Sequence, residues 1–184
     1  MNPAGQLKPL AGMYAGMGLA LPRVRLVEPS LVPEPYRRLL VHRQDMTPTL
    51  EAAHGASLHL RVIRHTVSEE LMDRLVVLEL DGSGVAVEVG AIQIHLARLP
   101  DLARVSVLAM QEPFGAILRD HGLQHSSEPS AFFEIAPDAL IADALGTNGV
   151  AALHGRASTI RDAQGEILAE VVEILPPADT RGRQ

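Results

Sequence analysis

The stretch DRLVVLELDG, residues 73–82, alternates as a β-strand and ends in a turn. Counting by twos from Arg74 gives Val76, Leu78 and Leu80; the other set is Leu75, Val77, Glu79 and Asp81. Side chains two apart share a face of a strand. Arg74 therefore shares a face with three large aliphatics, although a permanent charge resists burial without a partner. The strand alone leaves two readings open. Arg74 is either an arginine at the strand's entry, with stem packed and head in water, or an inward cation that needs an anion.

The flanking segments extend the pattern. DGSG, residues 81–84, is a turn signal, and VAVEVGAIQIHL, residues 85–96, is a second strand, so the two form an antiparallel hairpin. SLHLRVIRHTV, residues 57–67, alternates well enough for a strand before them. AFFEIA, residues 131–136, is a strand candidate, and residues 149–177 read as two long strands around the turn at 162–165, stopped by Pro176 and Pro177. Helical spacing or helix stop signals mark residues 33–43, 45–55, 99–111, 112–122 and 137–146, with Gly55, Gly122 and Gly146 as stops. Short turns imply antiparallel pairing. The expected class is α+β: a single antiparallel sheet with helices packed on one side. Residues 1–33, rich in Gly and Pro without a clean period, read as a leader or extended arm. Residues 34–177 read as one domain and residues 178–184 as a mobile tail.

Composition narrows the function. The chain has 184 residues, 47% of them hydrophobic and 21% charged, which suits a globular domain with a real core. There is no cysteine, which excludes disulfides, thiolate metal sites and a cysteine nucleophile, and fits a cytoplasmic location. No segment has the length of apolar sequence that a membrane span needs. Net charge is −6 and the basic residues form no long run, so nucleic acid is not an expected partner. The eight histidines make no compact ligand pattern, and no phosphate loop, dinucleotide fingerprint or nucleophile elbow is present. No metal and no cofactor is expected.

The last strand, EILAEVVEILPP, carries the other odd charges. Glu173 shares a face with Ala169, Val171 and Leu175, while Glu170 shares the opposite face with Leu168, Val172 and Ile174. At least one of them faces solvent. An inward arginine and an inward glutamate would make a pocket for a small acid, because guanidinium grips a carboxylate with a planar two-donor fork.

The order of these segments resembles the chorismate lyase (chorismate pyruvate-lyase) superfamily, in its divergent members. The resemblance runs from LLVHRQDMTPTLEAAHG to VVEILPP. It rests on Leu39, Leu40, Asp45, Met46 and Thr47, on RLVVLELDG, on Pro113-Phe114-Gly115, on Gly155-Arg156, and on the glutamate near the end of the last strand. It implies a cofactor-independent lyase that splits chorismate into 4-hydroxybenzoate and pyruvate. It also implies Arg74 as the grip on the ring carboxylate and Glu173 as the acid, with Glu170 as the alternative if the register shifts. Met46, Phe114, Gly115 and Arg156 would line the substrate site. Effector-sensing domains of some transcription regulators share this general fold, so a non-catalytic domain binding a small aromatic or carboxylic acid is the alternative. The Gly/Pro-rich leader is too short for a helix-turn-helix unit, which favours the enzyme at this stage.

Overall fold

The strand of residues 73–82 is the third of seven in a computed structural model that describes residues 3–177. This strand, β3 (Leu71–Leu80), pairs antiparallel with β2 (Leu58–Val67) and β4 (Ala86–His95). The chain's last hairpin, β6 (Leu153–Asp162) and β7 (Ile167–Leu175), docks β7 against β4. On the far side β6 pairs with β5 (His125–Ile135), and β5 with the short β1 (Val24–Val27). The order β1-β5-β6-β7-β4-β3-β2 makes one sheet in which every neighbour is antiparallel. This is the expected α+β class. The expected tail, residues 178–184, lies outside the described residues.

Alternation sorts the sheet into two faces. Leu75 and Val77 of β3 share one face with Val89 and Ala91 of β4 and with Val172 and Ile174 of β7. Arg74, Val76 and Leu78 share the other with Glu88, Gly90, Ile92, Val171 and Glu173. A helix layer packs on this second face. Leu40 of α3 (Tyr36–Leu40) and Met46 and Leu50 of α4 (Met46–His54) cluster with Leu78. Ala103 and Val107 of α5 (Asp101–Ala109) join Phe114 and Ile117 of α6 (Phe114–Asp120) against Ile92 and Val171. Gly55, left-handed at φ 65°, ends α4 as expected. Asp45 occupies the position before its first turn.

The structure departs from the expected leader. After a single turn, α1 (Pro3–Gln6), residues of the Gly-rich N-terminus form α2 (Lys8–Gly16). Leu7, Leu10, Met13 and Tyr14 fall at helical spacing and are buried in the cluster that includes Val77, Val89 and Val172. Gly12 and Gly16 lie on the exposed side, where they hide the period without opening the core. Joining the same cluster, Ile141 and Leu145 come from α7 (Ala139–Leu145), whose N-terminus Asp138 caps by accepting from the Ile141 backbone N–H at 3.0 Å. Gly155 of β6 allows a close approach. A Cβ there would stand 2.4 Å from the Glu173 carbonyl oxygen and 2.5 Å from the Phe133 ring. No helix among the described residues is long and apolar enough to cross a membrane.

Candidate ligand-binding site

Between the sheet and helices α4 and α6 lies a cavity of about 60 Å³. Its floor is Arg74 and Val76 of β3, Gly90 and Ile92 of β4, and Glu173 of β7; Met46, Phe114 and Gly115 approach from the helix side. The structure thus brings together five of the residues singled out by sequence. The remaining two lie elsewhere. Arg156 is behind Glu173, not on the cavity wall. Glu170 is on the opposite face, bonded to Lys8 at 3.1 Å. Register decides between the two glutamates: Glu173 sits opposite Gly90 and Glu170 opposite Gln93, three residues apart and therefore on different faces.

Arg74 is 1% exposed. Its Nη2 donates to the Glu112 carbonyl at 3.2 Å, just before α6, but its Nε and Nη1 have no partner in the protein. Burial lowers its pKa to about 10, so it stays cationic at neutral pH. A buried cation with two vacant donors is costly by itself and is relieved by an anion. The strand-entry reading, with the head in water, does not hold.

Arg156, fully buried, is occupied instead. Its Nε donates to Glu173 Oε2 at 2.5 Å. Its Nη1 donates to the carbonyls of Leu40 (3.2 Å) and His42 (3.1 Å), and its Nη2 to that of Gln44 (3.0 Å). One side chain thus ties the cavity's glutamate to the backbone leading into α4. Beside it, burial and then the Arg156 charge lower the pKa of His42.

Sequence reasoning missed Glu88. It is 5% exposed, lines the cavity, and its Oε2 has no partner in the protein. Burial, and then the nearby Glu173, push its carboxyl well above the usual carboxylate range, while Arg156 pulls the other way. The signal was available: an acid sharing a strand face with Gly90, Ile92 and Ile94 is as odd as Arg74 among aliphatics. Asp45 was read only as part of a motif. Its carboxylate meets His125 Nε2 at 2.7 Å at the cavity's edge, and this hydrogen bond raises the His125 pKa.

No family model matches the chain, and no curated protein matches it closely. Solved structures do. PhnF from Mycobacterium smegmatis is 16% identical with a TM-score of 0.58, covering 74% of this chain and 65% of that one. The effector domain of PhnF from the same organism is 16% identical with a TM-score of 0.55, covering 72% of this chain and 88% of that one. A GntR-family transcriptional regulator from Bacillus cereus is 12% identical over 69% of this chain and 96% of that one, with a TM-score of 0.49.

These likenesses correct the expected enzyme. The structures above include the effector domain of PhnF and no lyase, so the reading as a chorismate pyruvate-lyase, with chorismate as substrate and 4-hydroxybenzoate as product, is withdrawn. The expected absence of a nucleic-acid partner is withdrawn as well: structures described as transcriptional regulators are among those similar to the chain, and at this identity the likeness speaks to fold alone. The cavity supplies a physical reason for the first correction. Chorismate is a dianion, but only one guanidinium on the cavity wall has vacant donors, and the second, Arg156, is held by Glu173 behind that wall. Sheet order and helix placement give the chain the fold of the PhnF effector domain, a single antiparallel sheet of the chorismate lyase-like kind.

Proposed function

We propose that the chain is a non-catalytic sensing domain that binds a small carboxylic or other small anionic compound between the sheet and helices α4 and α6. The observation that carries this reading is Arg74, a buried guanidinium on the cavity wall with two donors lacking a protein partner. The effector-domain neighbours support it at the level of fold. The cavity as it stands has room for about two waters. A planar aromatic acid would therefore enter only with a shift of α4 or α6, which gives a sensor its change of state. Arg156 offers the route outward. A ligand that moves Glu173 also moves the guanidinium holding the carbonyls of Leu40, His42 and Gln44.

The test is calorimetric titration of butyrate, benzoate and inorganic phosphate into the wild-type protein and Arg74→Gln. At least one of these anions is expected to bind the wild type, and its affinity to fall by about 2–5 kcal/mol in the variant. Equal affinity in both proteins, or no binding of any anion to the folded wild type, would overturn the reading.

A further inference from the structure

We infer that the ligand carries a cationic nitrogen as well as its anionic group, with Arg74 taking the anion and Glu88 the cation. This rests on the sensing-domain reading and narrows it to zwitterions such as amino acids. Register places the two groups at opposite ends of one cavity. Arg74 stands opposite Ile92 and Glu88 opposite Leu78, four residues along the same face. Their Cα positions are roughly 13 Å apart along the strands. Glu88 leans back over Gly90 and shortens that span. A Cβ at Gly90 would lie 3.1 Å from Glu88 Oε1 and 3.4 Å from Val76 Cγ2, so the glycine leaves room for the carboxyl above the strand.

The charges around Glu88 make it a cation acceptor. From β7 it faces Glu173, whose Oε2 is held by Arg156 of β6. Across the cavity are Arg74 of β3 and, at the start of α4, Asp45, itself held by His125 of β5. The lining residues from α6 are Phe114 and Gly115, and from β2 Leu60, none of them charged. Arg156 is thus the single arginine beside two carboxyls, and it bonds one of them. Burial, and then Glu173, favour the protonated form of Glu88 in the empty cavity, and its charged form needs a cation of its own beside it. A ligand ammonium supplies that cation. Glu88 then releases its proton to solvent and accepts a charge-assisted hydrogen bond. A hydroxyl or methyl at the same place would leave Glu88 neutral and gain less.

The experiment is a matched titration of 4-aminobutyrate, 4-hydroxybutyrate and butyrate, repeated with the three- and five-carbon series, into wild type, Glu88→Gln and Arg74→Gln. Calorimetry in buffers of different ionisation enthalpy counts protons. In the wild type the amino acid of one length is expected to bind at least about tenfold more tightly than its hydroxy and plain counterparts. About one proton should be released per ligand. Glu88→Gln should abolish both the preference and the proton release. Arg74→Gln should weaken all three compounds. Equal binding of amino, hydroxy and plain acids, lost in Arg74→Gln, would overturn the zwitterion and leave the acid-binding reading intact. A preference that survives in Glu88→Gln would do the same. If no compound of any length binds the folded wild type, both fall.

Discussion

At the scale of the residue, two buried arginines with different surroundings do different things. Arg74 has two nitrogens without a protein partner, whereas every nitrogen of the Arg156 guanidinium is bonded, to Glu173 and three backbone carbonyls. The sequence told only part of this. Arg74 stood out because one charge interrupted a row of aliphatics, and alternation alone put it on a face. Glu170 and Glu173 could not be separated that way. Strand β7 lies between two neighbours and is apolar on both faces, so alternation does not say which is which. Arg156 presents the same difficulty in another form, because its partner comes from cross-strand register, which composition does not reveal. The pair makes a stability prediction. Arg156→Met should cost about 3–5 kcal/mol, since it strands a carboxylate and takes the guanidinium from the His42 and Gln44 carbonyls, whereas removing both charges in Arg156→Met/Glu173→Met should recover most of that loss. Urea unfolding of the two variants checks it. A double variant no more stable than the single one would mean that the carbonyl bonds, rather than the ion pair, hold the segment before α4.

At the scale of the element, α4 closes the cavity from the helix side. It is tied at its start by Arg156 to the preceding carbonyls and by Asp45 to His125 of β5. Strand β5 was half legible. Residues 131–136 read as a strand, but its first part, HSSEP, is polar and carries a proline, and the ladder shifts register between Pro129 and Ala131. His125 therefore could not be placed opposite Asp45 from sequence. The Asp45 hydrogen bond raises the His125 pKa above its ordinary value of about 6.5. A raised folded-state pKa means that the stabilisation is complete below the unfolded pKa and is lost as pH rises through the folded one. His125→Asn should thus cost most stability near pH ~5.5 and progressively less above neutrality. Thermal melts of both proteins from about pH 5.5 to about pH 8.5 measure it. A cost that does not vary with pH would show that the pair contributes as a neutral hydrogen bond.

At the scale of the whole molecule, the question is whether the N-terminal residues belong to the same cooperative unit as the sheet. The glycines at 5, 12 and 16 made them look like a leader, but α2 lays Leu10, Met13 and Tyr14 against residues of β3, β4 and β7. Three polar ties accompany that packing. Lys8 meets Glu170, the Tyr14 hydroxyl donates to Asp138 at 3.0 Å, and Arg64 donates to the Gly16 carbonyl. Burial, and then Asp138, raise the Tyr14 pKa further, which keeps the phenol a donor. Val77, Val89 and Val172 alternate with the residues that floor the cavity, so α2 supports the site from behind the sheet. We propose that residues 3–33 fold with residues 34–177 as one unit. Leu10, fully buried, is the place to test it. Leu10→Ala should lower global stability by about 2–5 kcal/mol, the cost of lost contact plus cavity. At this chain length each kcal/mol moves the melting temperature by roughly 2–4 °C. The shift should appear equally in circular dichroism and in amide exchange of the β4–β7 pair. If exchange on those central strands is unchanged while only α2 loosens, the N-terminal residues are an attachment to the domain and not part of its core.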